Sequence, residues 1–130
     1  MTFTIDFPPT GKARPRVTRH GTYTPQKTKE YEELVKWSYV AAKGKMHEGA
    51  VRVTIKAYFA PPKSASKATK QLMLSDQIYP TTKPDADNIV KACTDALNGI
   101  AYKDDSYVVD LIVYKRYRDV ARVEMSIEEM

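Results

Sequence analysis

The order of its elements predicts an α/β or α+β fold for this chain, a mixed β-sheet with helices packed on it. Three observations carry that expectation. Polar and apolar residues alternate over residues 2–7, 51–59 and 121–127, the period of a strand with one buried face. Apolar residues recur at helical spacing within residues 25–43 and 88–98. The two patterns are interleaved along the chain, without an internal repeat or a low-complexity tract.

Taken in order, residues 2–7 place Phe3, Ile5 and Phe7 on one face of a first strand, and Pro8-Pro9 ends it. Between Gly11 and Tyr23 the chain carries Lys12, Arg14, Arg16 and Arg19 with no acid. Its glycines and proline discourage helix, so a loop or irregular hairpin is expected there. Thr24-Pro25 resembles an N-cap followed by proline at the first helical position. Tyr31, Leu34, Val35 and Ala41-Ala42, with Trp37 and Tyr39 among them, extend that helix over residues 25–43. Residues 51–59 alternate cleanly until Pro61-Pro62 and form a second strand. Ala65, Ala68, Leu72 and Met73 allow a short helix within residues 63–76. The next helix has an apolar stripe of Ile89, Val90, Cys93, Ala96 and Leu97, with Asn98-Gly99 as its stop. Asp87, Lys91 and Asp95 fall on the opposite, polar face. Residues 107–117 and 121–127 read as two strands joined by a polar turn at Arg118-Asp119, making a hairpin.

Length and charge bound the function. A chain of 130 residues, 42% of them hydrophobic, buries one core and is too short for two ordinary domains. A single domain over residues 1–130 is expected. An excess of 21 Lys and Arg over 16 Asp and Glu gives a formal charge of +5, which favours a polyanionic partner, nucleic acid above all. The one cysteine excludes an internal disulfide, and no apolar run approaches the roughly 20 residues that span a bilayer. The start of the chain alternates and contains an acid, unlike a secretion signal, so a cytoplasmic location is expected.

The chemistry is concentrated in Lys83-Pro84-Asp85-Ala86-Asp87-Asn88-Ile89-Val90-Lys91 and in Asp104-Asp105. Magnesium takes oxygen ligands from one or two carboxylates plus phosphate and water, and a neighbouring ammonium stabilises charge on phosphoryl oxygens. The inventory suits a metal-dependent nuclease. If residues 85–87 stay extended, the Asp85 and Asp87 carboxylates project from one side, and Asp85 or Asp87 then caps the helix. Lys91 lies four residues beyond Asp87, within side-chain contact. The helix over residues 88–98 advances roughly 16 Å, and the seven residues 99–105 span up to about 23 Å, so Asp105 can return to the helix start.

Each feature also has an ordinary reading. Asp85 or Asp87 serves equally as a plain N-cap, Asp87 with Lys91 as a surface ion pair, and Asp104-Asp105 as a solvated turn. His20 and His47, among charged neighbours, are expected to be exposed and not to be ligands. Cys93, on the apolar stripe, is expected in the core.

The run from Lys83 to Lys91, continued by Asp95-Ala96-Leu97 and by Asp104-Asp105-Ser106-Tyr107-Val108, follows the pattern D-x-D-N-x-x-K, D-A-L, D-D-x-x-V. It resembles the RusA family of bacterial and phage Holliday-junction resolvases. Arg14-Pro15-Arg16, Tyr23-Thr24-Pro25 and the order of elements resemble that family too, and only residues 63–80 depart from it. The resemblance implies a homodimeric, magnesium-dependent endonuclease, with manganese a possible substitute, that nicks four-way junctions symmetrically in DNA recombination and repair. It implies that Asp85, Asp87 and Asp105 bind the metal, with Asp104 as a helper, and that Lys91 is needed for cleavage. Asn88 would orient Asp85 or Asp87. Lys12, Arg14, Arg16, Arg19 and Lys83 are candidates to grip DNA phosphates, and Tyr23 to stack on an opened base or to join the core. A non-catalytic junction-binding module would explain the charge but leave the acidic cluster without purpose. A metal nuclease acting on flaps or other branched DNA would share the chemistry.

Overall fold

In a computed structural model, the described residues are 1–13, 16–23 and 25–130, without the side chains of Arg16 and Tyr23. Four strands form the main sheet in the order β1 (Thr2–Ile5), β6 (Arg122–Glu129), β4 (Val51–Phe59) and β5 (Val108–Tyr117). β2 (Arg16–Thr18) and β3 (Gly21–Tyr23) make a separate two-stranded ribbon, the irregular hairpin that the basic segment suggested. Helices α1 (Gln26–Ala41), α2 (Lys67–Leu74) and α3 (Ala86–Ala96) complete the order. The mixed sheet with packed helices is the architecture expected from the sequence.

The core forms where the periodicities said it would. Val51, Val53, Ile55 and Ala57 of β4 are buried with Val123, Met125 and Ile127 of β6 and Phe3 and Ile5 of β1. Tyr31, Val35 and Tyr39 from α1 and Ile89, Ala92, Cys93 and Leu97 from α3 close over them. Each fully buried aliphatic side chain contributes roughly 1.5–3 kcal/mol relative to exposure. α1 packs against both β1 and α3, so α3 is wedged between α1 and the β5 side of the sheet. α3 ends at Ala96, and Gly99 adopts φ +74°, a left-handed conformation open to glycine at no steric cost. α2 is a real helix because Ser66 caps it, accepting from Thr69 N at 3.1 Å.

Several local expectations are corrected. β5 and β6 do not form a hairpin: β4 lies between them, parallel to β5 and antiparallel to β6. The turn between β5 and β6 passes over the end of β4, where Arg118 N donates to Phe59 O at 2.9 Å. Crossing two strand spacings of about 4.8 Å is within reach of four residues. With its inward residues buried along its length, β4 needs a partner on each edge, and sheet placement outranks sequence adjacency. Phe7 leaves the strand face and is 50% exposed, because Phe7 N bonds back to Ile5 O and turns the chain before Pro8. Pro25 is the N-cap of α1, not its first helical residue, and Thr24 lies outside the described residues. His47 is buried, not exposed: its backbone N donates to Ala101 O at 2.8 Å, and Nδ1 sits 2.9 Å from Glu129 Oε1. Cys93 is in the core, and burial pushes its thiol pKa up to about 12. Among the described residues no helix is long and apolar enough to cross a membrane.

Candidate active site

The site grows from the N-terminus of α3. Asp85 is the N-cap, extended at φ −69° and ψ 152°, yet its side chain makes no capping hydrogen bond. Its carbonyl starts the helix, accepting from Ile89 N at 3.0 Å, while the carboxylate has no hydrogen-bond or ion-pair partner among the described residues. Asp87 lies in the first turn, where the helix dipole favours a negative charge. Asp87, Lys91 and Asp95 then follow at i, i+4 and i+8, one stripe on the face away from the core. Among the described residues no ion pair joins Asp87 to Lys91. The two ordinary readings of this segment, capping carboxylate and local ion pair, are therefore not what these side chains do.

The basic loop reaches this helix from the other side. Gly11 lies so close that a Cβ there would stand 2.9 Å from Pro84 Cβ and 3.2 Å from Asn88 Cβ. Lys12 N donates to Asn88 O at 3.0 Å, and Ala13 N to Thr28 Oγ1 of α1 at 3.2 Å. The loop is thus moored between α1 and α3. The Lys12 ammonium points at Asp95 Oδ2, 2.7 Å away, with Glu32 Oε2 at 3.7 Å. Burial works to lower the Lys12 pKa, but its bond to Asp95 and the charges of Glu32 and Asp95 outweigh this and hold it above its ordinary value. Burial raises the pKa of Glu32, against the pull of Lys12.

Asp104 and Asp105 begin the turn before β5. The Asp104 side chain accepts from Ser106 N at 3.3 Å. Asp104 and Asp95 are the acidic neighbours of the Asp105 carboxyl. The Asp104 bond, desolvation and the charges of Asp104 and Asp95 raise its pKa, while that of Asp104 falls. Asp105 therefore meets the last turn of α3, roughly 12 Å along the helix from Asp87 by helical rise. The return to the helix start that chain length allows is not the contact seen.

Lys12, Ala13, Asp85, Asp87, Asn88, Lys91 and Asp95 line one open cleft of about 530 Å³. Of the expected residues, Asp85, Asp87, Asn88 and Lys91 are brought together there, with Asp105 joined at one end through Asp95. Lys12 belongs to the cleft and is not a free phosphate-gripping side chain. Arg19 and Lys83 are exposed. Arg14, and the side chains of Arg16 and Tyr23, fall outside the described residues. Asn88 anchors the loop through its carbonyl, a use its motif position did not announce. Asp95 and Glu32 were missed as site residues. Asp95 was legible as one further turn of the Asp87 and Lys91 stripe, whereas nothing in the sequence marks Glu32.

Interleaved carboxylates and ammonium groups in an open cleft, on an α+β fold of net positive charge, suit a protein that handles phosphodiesters. The family described as Endodeoxyribonuclease RusA matches residues 6–128, and the chain belongs to that family of DNA endonucleases. It is also similar to "Uncharacterized protein YqaN" of Bacillus subtilis (strain 168), 39% identical over 140 residues that span 98% of this chain and 95% of the relative.

Proposed function

We propose that the protein is a magnesium-dependent, structure-selective endonuclease that acts as a homodimer and resolves four-way DNA junctions by symmetric nicking. Family membership supports endonuclease chemistry. The observation that carries the finer reading is the Asp85 carboxylate at a helix start, unpaired among the described residues and sharing a cleft with Asp87, Lys91 and Asp95. Carboxylates left unspent beside one another repel phosphate, and they make sense as ligands.

The donor set fits magnesium: hard oxygen atoms, several on one cleft wall, with the raised pKa of Asp105 marking crowded negative charge. Among the described residues no three ligating groups enclose a point in space by themselves. Water and substrate phosphate would complete the shell, as is usual for this ion. Asp85 and Asp87 at the start of α3 would hold it, with manganese able to substitute, and Asp105, which lies beside Asp95 at the other end of the helix, would join them only after moving towards them, with Asp104 assisting. When bound, the ion neutralises phosphoryl charge and makes water a better nucleophile at neutral pH.

The chain's own groups supply the rest. Lys91, between Asp87 and Asp95 on the helix, presents a fixed positive charge to the scissile phosphate or its leaving group. Water adds to phosphorus, the bond to the 3′ oxygen breaks, and a 5′ phosphate and a 3′ hydroxyl remain. Arg14, Arg16, Arg19 and Lys83 hold backbone phosphates, giving affinity that falls with salt and reads little sequence. The deciding experiment incubates a synthetic four-way junction, a flap and a linear duplex with the protein, with and without magnesium, alongside Asp87→Asn. Paired nicks in the junction alone, lost in the variant, support the proposal. Binding without cutting indicates a non-catalytic module, and preferential flap cutting another branched substrate.

A further inference from the structure

We propose that Tyr79, Arg116 and Tyr114 form a binding site for one unpaired nucleotide of a branched DNA, its base stacked on an exposed tyrosine ring and its phosphate held by the guanidinium. The inference uses the DNA chemistry of the family and goes beyond the junction-resolving reading. It rests on that reading only for the kind of DNA that carries such a nucleotide.

The two faces of the sheet differ. Val53, Ile55 and Ala57 of β4 point into the core, so Lys56 and Tyr58 point the other way, and their β5 neighbours Tyr114 and Arg116 share that outer face. The Arg116 guanidinium lies 4.9 Å from the centre of the Tyr79 ring and 5.3 Å from that of Tyr114. Both residues are open to solvent, Tyr79 at 53% and Tyr114 at 40%. Arg116 donates to Lys115 O at 2.9 Å and has no ion pair among the described residues. Asp76, a carboxylate near enough to feel its charge, is held by Arg118 at 2.7 Å.

A neighbouring stack on the same face is the structural counterpart. Tyr58 lies 5.1 Å from Arg118 and 4.6 Å from Arg122, but Tyr58 is buried and the two arginines are neutralised by Asp76 and Glu124. That stack is complete within the protein. The Tyr79 stack has exposed rings and a cation without a counter-charge, which together select the ligand. Every base has a π-face for an aromatic ring, and its phosphate suits a guanidinium. Bases inside a duplex already spend their faces on one another, so the nucleotide taken is an unpaired one. An acidic peptide would satisfy the cation and leave the rings unused.

The platform is moored beside the cleft. Pro80 is buried and biases Tyr79 towards an extended backbone, and Lys115 Nζ donates to Thr82 O at 2.8 Å. Lys115 and Arg116 are adjacent on β5 and project to opposite faces. Between Tyr79 and Thr82 the chain therefore passes round β5, from the outer face to the one on which α3 packs. Asp85 follows Tyr79 by six residues, at most about 21 Å of chain, or about six steps of a stacked strand at roughly 3.4 Å each. A base held at Tyr79 thus sets how far from a branch the cleft meets the strand. Tyr79 belongs to residues 63–80, the stretch that departs from the family pattern, so the site is separate from the shared acidic motif.

The test reads binding by the intact chain without magnesium. A synthetic four-way junction carries one unpaired 5-iodouracil beside its branch point, and a linear duplex carries the same base paired. Irradiation should cross-link the junction probe, and not the duplex, to a peptide containing Tyr79 or Tyr114. Tyr79→Leu, checked for folding by its melting, should weaken junction binding by about tenfold, within the range for one lost stack, and leave duplex binding unchanged. Tyr79→Phe keeps the ring face and should bind as wild type. Arg116→Gln should reduce the slope of log affinity against log salt by about one. Cross-links confined to other peptides, or none, overturn the proposal. So does a folded Tyr79→Leu variant that binds the junction as wild type does or loses junction and duplex equally, and so does loss of binding in Tyr79→Phe. An unchanged salt slope in Arg116→Gln overturns the phosphate contact. No readout involves cutting: a protein that passes them and nicks nothing refutes the nuclease reading alone, and one that nicks junctions but fails them refutes only this site.

Discussion

The Lys12 ammonium lies 2.7 Å from Asp95 Oδ2, joining the start of the basic loop to the last turn of the helix that carries the acidic motif. Eighty-three residues separate the two in sequence. Their ion pair is partly shielded, and it gives the cleft one wall from the loop and one from α3.

Lys12→Met should lower junction cleavage by about tenfold, the scale of one lost charged contact in the cleft. The pair keeps about a quarter of each side chain exposed, so stability should fall by less than about 1 kcal/mol. Single-turnover cleavage compared with thermal melting separates the two effects.

Asp85→Asn and Asp87→Asn should each reduce cleavage by at least about 100-fold while junction binding is kept, in line with the loss of one charged group acting on a transition state. Because the Asp85 side chain caps nothing, its variant should melt within about 0.5 kcal/mol of wild type. A gel-shift titration without magnesium beside a cleavage series with it provides the check. Full cutting by Asp85→Asn would remove that residue from the site.

Gly11→Ala inserts a methyl group 2.9 Å from Pro84 Cβ, closer than carbon atoms pack, so the loop must lift from α3. Cleavage should fall several-fold, and stability by about 1–3 kcal/mol, typical of overpacking. Thermal melting beside single-turnover cleavage of the variant checks both effects.

The pKa of Asp105 is raised in the folded state, so the native protein holds that proton more tightly than the unfolded chain does. The stability associated with Asp105 is present at acid pH and is lost as pH rises through the raised value, offset in part by its neighbour Asp104, whose lowered pKa contributes with the opposite sign. Cleavage should rise over the same window as the carboxylate becomes available. Asp105→Asn should flatten the stability profile there, melt slightly higher near neutrality and abolish cutting. A melting series across pH, run on wild type and variant, checks the sign.

The sequence by itself determined the strands and helices, because apolar periodicities of two and of three to four survive in the local order of residues. It also announced Asp85, Asp87, Asn88 and Lys91, since neighbours on one helix start meet by helical geometry alone. Only the tertiary structure decided that β4 separates β5 from β6, that His47 is buried, and that Asp105 meets Asp95 instead of the helix start. It alone brought Lys12 into the cleft and set Glu32 beside it. These are contacts between segments far apart in the chain, set by which strand edges and helix faces bury the most apolar surface together, and no local pattern of residues encodes that competition.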